Sequence, residues 1–313
     1  MGRIITVTFN PVIDKSTTIP ALIPDKKLRC APPKFEPGGG GINVARAIRK
    51  LGGEATAIYL AGGYTGVFLN QLLQNEGVPI KPIEISRHTR ENLIVVDTST
   101  NQQYRFGMPG PDISEGEWKT CLRAIEAEPD LDFIVASGSL SPGVPTDIYA
   151  QVATLAKKKG AKLIVDTSGE ALQKAAVEGV YLLKPNLAEL SSLVGKEEIH
   201  AELVDDVARE LIEKGQCDLV VTSMGPAGAL LVTKDEVYTI IPPAVKRRST
   251  VGAGDSMVAG MVLSLAKGWE PSEAARYGVA AGTAATLNPG TELCHLEDVE
   301  KLFRLVRCHK GTE

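Results

Sequence analysis

One stretch, residues 249–256 (STVGAGDS), joins a small glycine loop and a carboxylate to the start of an apolar helix. The apolar run Met257–Ala266 follows, and Lys267-Gly268 ends it, as expected of a buried helix with a glycine stop. The first backbone N–H groups of a helix lack intrahelical partners, so they attract an anion that glycines let come close. Asp255 beside such an anion hole is suited to phosphoryl transfer as a base. The alternative interpretation is that Asp255 serves only as a helix N-cap.

A second glycine-rich loop, Gly38–Gly41, also leads into a helix, whose apolar residues recur every third position as far as Leu51. Four successive glycines are costly in backbone entropy, which favours a loop that approaches a ligand over a purely structural one. The loop lacks the dinucleotide-binding fingerprint, because Val44 stands where a third Gly or Ala is needed and no acidic residue ends the following strand, 55–60. A nicotinamide-dependent enzyme is therefore disfavoured.

Composition places the chain among ordinary soluble proteins. Of its 313 residues, 43% are hydrophobic and 23% charged, and no segment approaches the ~20 apolar residues that a membrane span needs. The net charge of −4 disfavours a nucleic-acid partner, so the expected anionic partner is small. The five cysteines are widely spread and form no CxxC pair, which indicates neither a disulfide framework nor a zinc site and is consistent with the reducing cytoplasm.

Alternating strand and helix patterns predict an α/β fold with a mainly parallel sheet. A β-branched strand, 4–9, is followed by a turn and by Asp14, a candidate for binding hydroxyls or a plain turn cap. Residues 91–106 predict a hairpin that pairs with short strands in 15–37, giving a small β lid from about 12–37 and 88–108. Cations on both lid segments suggest a phosphate clamp, although any one of them is usually a solvated surface charge.

Two further segments could line a nucleotide site. Asn186 and Glu189 have capping-box spacing after a strand end, and the same geometry would hold a carboxylate near hydrated Mg²⁺. Gly225 and Gly228 form a tight turn between two apolar strands, which could also shape a nucleotide pocket. The buried strand 162–166 carries an aspartate at its carboxyl end.

Three motifs in register, PGGGGINVA from Pro37, KPNxxE from Lys184 and TVGAGDS from Thr250, resemble those of the ribokinase-like sugar kinases. Within that family the chain looks most like the minor bacterial 6-phosphofructokinases, from the first strand to about Asn288. The resemblance implies one ribokinase-like kinase domain over residues 1–313, a three-layer α/β sandwich with a β-sheet lid that pairs in a homodimer. It also implies ATP-dependent phosphorylation of the C1 hydroxyl of fructose 6-phosphate, a step of glycolysis.

The resemblance also implies roles for individual residues. Asp255 would be the base, and the anion hole would be Gly252, Ala253 and Gly254. The residues expected to bind sugar hydroxyls or the substrate phosphate are Asp14, Lys27, Arg29, Gly38, Gly39, Gly40, Gly41, Asn43, Arg90, Arg105 and Ser139. The residues expected to line the ATP site are Lys184, Asn186, Ser223, Gly225 and Gly228.

For metals, the resemblance places Glu189 near Mg²⁺ through water. It places a potassium ion near the main loop, at the positions Ser249, Val251, Ala285, Asn288, Gly290 and Glu292. Two departures weaken the potassium assignment: the loop begins Ser249-Thr250 where many relatives have Asp-Thr, and Glu292 is a charged residue at a variable place.

Other functions stay open at this stage. Tagatose-6-phosphate and fructose-1-phosphate kinases share the three motifs. A phosphosugar-binding regulatory protein without turnover is a non-enzymatic alternative, which the intact Asp255 and glycines disfavour.

Overall fold

The computed structural model describes residues 2–311 and centres on a ten-stranded sheet. Its strands along the chain are β1 (Ile4–Thr8), β4 (Thr56–Ala61), β5 (Ile80–Glu84), β8 (Phe133–Ser137), β9 (Lys162–Asp166), β10 (Val180–Leu183), β11 (Cys217–Ser223), β12 (Ala229–Val232), β13 (Val237–Ile241) and β14 (Arg307–Lys310). The strand order is β14-β13-β12-β11-β10-β9-β8-β1-β4-β5. The sheet is parallel from β5 to β11, and β12, β13 and β14 continue it in antiparallel pairs.

Helices cover both faces of this sheet, which gives three layers. The helices are α1 (Gly40–Lys50), α2 (Gly63–Asn75), α3 (Glu115–Glu126), α4 (Ile148–Lys159), α5 (Gly169–Glu178), α6 (Leu187–Leu193), α7 (Val204–Glu213), α8 (Ala253–Ala266), α9 (Pro271–Ala285) and α10 (Leu296–Phe303). Helices α1, α2, α8, α9 and α10 share one apolar cluster, and α3 to α7 share the other. The sequence-based prediction of an α/β fold with a mainly parallel sheet is confirmed.

Alternation along the strands feeds these two clusters. On β8, Ile134 packs into one cluster and Val135 into the other, and Ile58 and Tyr59 divide in the same way on β4. Because successive side chains of a strand point to opposite faces, both faces of a doubly covered sheet must be apolar. This explains why the strands read as continuous apolar runs rather than as alternating patterns.

A separate four-stranded sheet lies outside these layers, with β2 (Val12–Ile19), β3 (Lys34–Gly38), β6 (Arg90–Asp97) and β7 (Gln102–Phe106) in the order β3-β2-β6-β7. Strands β6 and β7 form the hairpin predicted from the sequence, and β6 runs parallel to β2 along its whole length. Residues 20–33, between β2 and β3, form an exposed loop with little regular structure.

The C-terminal region forms a short helix followed by a final strand. Helix α10 is acidic in its first turn and buries Val299 and Leu302 against the core. Arg307, His309 and Lys310 belong to β14, which extends the central sheet. Among the described residues no helix has the length and apolar character needed to cross a membrane.

Candidate active site

Helix α8 begins at Ala253, and its N-cap is Gly252, which has a left-handed backbone (φ 72°) and makes no side-chain cap bond. A side chain at this φ would be strained, so glycine suits the turn. Asp255 lies in the first turn of the helix, and its Oδ2 accepts a hydrogen bond of 2.9 Å from Asn43 Nδ2. The N-cap position belongs to Gly252, which leaves the Asp255 carboxylate free for another role than capping.

The surroundings of Asp255 raise its pKa to about 6. Burial is the largest cause, and the nearby carboxylate of Asp166 adds to it, whereas the Asn43 hydrogen bond and the charges of Lys184 and Arg46 oppose it. A carboxylate with this pKa is ionised at neutral pH and is a better proton acceptor than an ordinary aspartate. Asp255 thus has the properties required of a general base.

Asp166, which is half-buried, and the buried Lys184 form an ion pair near Asp255, with Oδ1 and Nζ 3.1 Å apart. Burial alone would lower the pKa of Lys184, but Asp166, Glu189 and Asp255 together raise it above its ordinary value. A Cβ added at Gly254 would lie 3.6 Å from Lys184 Nζ, so the ammonium group lies directly beside the glycine loop. The arrangement keeps one positive charge next to the predicted anion hole.

The second glycine loop packs against the ends of β1 and β8. A Cβ at Gly40 would approach Ser137 Oγ to 2.3 Å and the backbone N of Gly138 to 2.6 Å. The backbone N–H of Ile42 donates to Thr8 Oγ1 at 2.9 Å, which fixes the first turn of α1 on β1. Close packing therefore accounts for part of the glycine content that the sequence attributed to ligand approach, and it places Asn43 next to Asp255.

A cavity of about 520 Å³ opens between the glycine turn after β11 and the N-terminal part of α8. Among the predicted ATP residues, those in its wall are Asn186, Ser223, Gly225 and Gly228. Lys184 is instead buried beside Gly254, and Gly254 and Ala253 form the end of the cavity wall nearest Asp255.

Other wall residues were not predicted from the sequence. They are Pro226, Pro242, Pro243, Ala244, Val245, Arg247, Thr250, Met257, Val279, Gly282, Thr283 and Thr286. The four from Val279 to Thr286 follow helical spacing on one face of α9 and its end, a periodicity visible in the sequence. The pattern alone does not distinguish a cavity wall from a core face.

Asp14 on β2 lies beside Gly38 of the glycine loop, is half-buried, and accepts a 3.0 Å hydrogen bond from Asn92 Nδ2. Burial is the main cause that raises the pKa of Asp14, opposed by Asn92 and Arg90. Arg90 donates to the carbonyls of Met108 and Asn10, at 3.0 and 3.2 Å, and its buried Nε has no hydrogen-bond partner among the described residues. Such an unpaired buried donor suits an anionic ligand.

Asn10, in the turn that follows β1, connects this region. Its Nδ2 donates to Ser139 Oγ at 3.0 Å, and its Oδ1 accepts from Ser141 Oγ at 3.1 Å. Since the carbonyl of Asn10 also accepts from Arg90, one residue holds Ser139 and Arg90 on the same side of the site. A polar residue directly after a strand end was the available signal.

The three other predicted cations are exposed. Lys27 and Arg29 lie on the loop 20–33, and Arg105 lies on the outer strand β7, where it donates to Gln103 Oε1. Of the four cations predicted to form a phosphate clamp, only Arg90 is half-buried beside Asp14.

Both bonds of a capping box link Asn186 and Glu189, each 2.9 Å long. Residues 2–311 contain no cluster of three or more His, Cys, Asp or Glu side chains that could hold a metal by themselves. Mg²⁺ in nucleotide sites keeps several waters and takes only one or two carboxylates besides the phosphates. Burial raises the pKa of Glu189, which lies close enough to Lys184 and Asp166 for their charges to affect it. The donor set therefore fits a hydrated Mg²⁺ that Glu189 contacts through water.

The two segments that carry the residues assigned to potassium are in contact. Ser249 Oγ donates to the carbonyl of Gly290 at 2.9 Å, and the backbone N–H of Arg248 donates to the carbonyl of Thr286 at 2.8 Å. Hydroxyl and carbonyl oxygens are suitable ligands for a monovalent cation. Glu292 fits less well, because its Oε1 already lies 3.0 Å from His295 Nε2.

Comparison with known proteins identifies the family of the chain. Residues 7–298 match the model of the pfkB family carbohydrate kinases. This chain belongs to the pfkB family. It is 47% identical over 304 residues to the ATP-dependent 6-phosphofructokinase isozyme 2 of Escherichia coli K12, which covers 97% of this chain and 98% of the relative. A 1-phosphofructokinase of Bacillus subtilis is 33% identical, over 92% of this chain and 95% of the relative.

Solved structures of phosphofructokinase-2 from E. coli share the fold of this pfkB kinase. The structure in complex with potassium superposes with a TM-score of 0.94 at 47% identity, covering 97% of this chain and 99% of that one. The complex with fructose-6-phosphate gives a TM-score of 0.91 at 46% identity, with the same coverage. The predicted family, fold class and kinase activity are confirmed.

Proposed function

We propose that this pfkB kinase transfers the γ-phosphoryl group of ATP to the C1 hydroxyl of fructose 6-phosphate and so makes fructose 1,6-bisphosphate, a reaction of glycolysis. The observation that carries the proposal is the Asp255 carboxylate, with a pKa of about 6, in the first turn of α8 at the end of the 520 Å³ cavity. The 47% identity to a 6-phosphofructokinase, against 33% to a 1-phosphofructokinase, supports this substrate over fructose 1-phosphate.

In this mechanism Asp255 accepts the proton of the C1 hydroxyl while the hydroxyl oxygen attacks the γ-phosphorus. The bond from that phosphorus to the β,γ-bridging oxygen breaks, and ADP leaves with the bridging oxygen. The backbone N–H groups of residues 252–254 and the Lys184 ammonium neutralise the charge on the transferring group. Phosphoryl transfer needs alignment and charge neutralisation more than covalent chemistry, so a base, a helix N-terminus and one cation suffice on the protein's side.

The ATP molecule would occupy the 520 Å³ cavity, with Asn186, Ser223, Gly225 and Gly228 in its wall and the phosphates directed toward Gly254. Mg²⁺, when bound, would neutralise charge on these phosphates, and Glu189 would hold one of its waters. A potassium ion held by the 249–251 and 285–290 segments would steady the loop that forms the anion hole.

The sugar phosphate would bind between the glycine loop and the four-stranded sheet. Asp14, Asn43 and the backbone of residues 38–41 would take the hydroxyls, while Arg90 and Ser139 would meet the 6-phosphate. The exposed cations Lys27, Arg29 and Arg105 would complete the phosphate site when the sheet, as a lid, closes or meets a second subunit. A lid is required because water would otherwise compete for the phosphoryl group.

The outer part of the lid also exposes large apolar side chains, which favours pairing of two lids in a homodimer. They are Leu22, Ile23, Phe106 and Met108. Sedimentation of the purified protein with and without Mg-ATP distinguishes a dimer from a monomer or a tetramer.

A panel of phosphorylated ketoses with Mg-ATP tests the substrate. We expect fructose 6-phosphate to give the largest kcat/KM, and ³¹P NMR to show a new phosphate ester at C1. A tenfold preference for tagatose 6-phosphate or fructose 1-phosphate would overturn the assignment. Binding of phosphosugar without ATP consumption would indicate a regulatory protein instead of an enzyme.

A further inference from the structure

Arg46 on α1 is a buried arginine, only 3% exposed, that lies next to the site but has no place in the mechanism above. Its Nε and Nη2 donate to the two carboxylate oxygens of Glu76 at 2.8 and 2.7 Å, a forked pair that fixes the plane of the guanidinium. Its Nη1 donates to the carbonyl of Pro37 at 2.7 Å and to Asn43 Oδ1 at 3.3 Å. One arginine therefore contacts both the start of the glycine loop and the residue that holds the base.

The contact with Asn43 determines which way its amide faces. An amide side chain has one accepting oxygen and one donating nitrogen, and its two orientations have nearly the same shape. With Arg46 donating to Oδ1, the Nδ2 group faces Asp255 and donates to Oδ2 at 2.9 Å. The flipped amide would place its oxygen against the carboxylate and its NH₂ against the guanidinium, and both contacts would repel.

We propose that Arg46, anchored by Glu76, is a positioning residue for the general base: it holds the Asn43 amide in the orientation that donates to Asp255. The proposal rests on the role of Asp255 under the proposed function. The Glu76–Arg46–Asn43–Asp255 chain is continuous in hydrogen bonds, and it begins on the far end of α2, outside the cavity.

Each charged group around Asp255 has a distinct effect. Asp166 on β9 raises the pKa of Asp255, while Lys184 after β10 and Arg46 on α1 lower it. Of these three, Arg46 acts both through its charge and through the amide that it orients. Losing it should therefore raise the pKa of the base and also leave the carboxylate without its fixed donor.

The test compares Arg46→Met and Arg46→Lys with Arg49→Met, a control on the exposed side of the same helix. For Arg46→Met we expect kcat to fall about tenfold or more and KM for ATP to change less than about threefold. The apparent pKa of the acidic limb in the pH profile of kcat/KM should increase by about 0.5 to 1 unit. Arg46→Lys keeps the positive charge but loses the forked hydrogen bonds to Glu76, so the acidic limb of its pH profile should shift less. Arg49→Met should match the wild type.

A purely structural role gives a different result. It would lower the melting temperature of both Arg46 variants and leave the acidic limb in place, and that outcome would overturn the proposal. Should Arg46→Met not fold, Glu76→Gln releases the same anchor from a partly exposed position, and the same shift of the limb, smaller in size, is expected.

A second readout does not depend on turnover. The carboxyl ¹³C resonance of Asp255, assigned with Asp255→Asn, should titrate at higher pH in Arg46→Met than in the wild type. An unchanged titration overturns the positioning role, even in an active enzyme. Wild-type protein that consumes no ATP with any phosphorylated ketose would instead reject the proposed function, while this titration would still test the contact.

Discussion

The residues around Asp255 and the four-stranded sheet differ in how their polar side chains are held. Around Asp255 the polar groups are buried or half-buried, and they have partners within the chain, such as the Asn43 amide or the Lys184–Asp166 pair. On the four-stranded sheet and its loop, Lys27, Arg29 and Arg105 are exposed.

This difference separates two tasks. Groups that must act on a developing charge are held in place before the substrate arrives, because reorganising them during the reaction would cost part of the rate. Groups that grip a phosphate already present in the substrate can assemble on binding. Within a single chain, the groups expected to act in the chemical step therefore already have fixed partners, whereas most of the cations expected to bind the substrate phosphate do not.

The largest expected effect is from substituting Asp255. Asp255→Asn keeps the size and the hydrogen bonds of the side chain but removes the proton acceptor, so we expect turnover of fructose 6-phosphate with Mg-ATP to fall about 10³-fold. Steady-state kinetics with an ATP-coupled assay measures the loss. Activity within a few-fold of the wild type would remove Asp255 from the mechanism.

Thermal unfolding provides the control for this variant. The pKa of Asp255 is raised from 3.8 to about 6 in the folded protein, so folding takes up a proton within that window, and ionisation above it costs stability. The neutral Asn carries no such cost. We therefore expect Asp255→Asn to melt at the wild-type temperature or higher at pH 7, and a clear drop would mean that lost folding explains the lost activity.

The sheet should respond with binding rather than rate. Arg90→Met removes a half-buried cation close to Asp14, and we expect KM for fructose 6-phosphate to rise about 10- to 30-fold with a smaller change in kcat. Arg105→Met removes an exposed cation and should raise KM less. Equal effects on KM would show that both cations already grip the phosphate equally, which removes the contrast between the two regions.

The pH profile of the wild-type enzyme tests the role of Asp255 as the base without a substitution. Because Asp255 must be ionised to accept a proton, kcat/KM should decrease as the pH falls below about 6. One pH unit below that value, kcat/KM should be about a tenth of its value on the neutral plateau. Protonation of the phosphate groups of the substrates also falls near this range, so the profile is compared with that of Arg90→Met. If the acidic limb of the profile shifts in Arg90→Met instead of staying near pH 6, it reports phosphate binding rather than the ionisation of Asp255.

The smallest expected effect concerns the potassium segment. Ser249→Ala removes the hydroxyl that joins the main loop to Gly290, and we expect the potassium concentration for half-maximal activity to rise about threefold. Titration with KCl at constant ionic strength measures it, with tetramethylammonium as the inert replacement. Activity independent of potassium in the wild type would remove the ion from the account.

The sequence predicted the local structural elements of the candidate site. Asp255 and its glycines, the Asn186–Glu189 capping box and the hairpin are each encoded within a few residues, so composition and spacing were sufficient. Asp166 was visible as a polar residue at a strand end, but its pairing with Lys184 depends on the neighbouring strands β9 and β10.

The missed features depend on distant parts of the chain. Asn10 meets Ser139 across 129 residues, and Arg46 meets Glu76 at the end of another helix, so the nearby sequence does not reveal the partner of either residue. Strand β14 has the sequence RCHK, without an apolar pattern, and it forms because β13 offers an open edge for pairing. Tertiary context decided these features.

A crystal structure with fructose 6-phosphate and a non-hydrolysable ATP analogue measures the central distance directly. We expect the C1 oxygen within about 3 Å of an Asp255 carboxylate oxygen, with the terminal phosphate on the backbone N–H groups of residues 252–254. A C1 hydroxyl that contacts another side chain, with Asp255 bound only to Asn43, would contradict it.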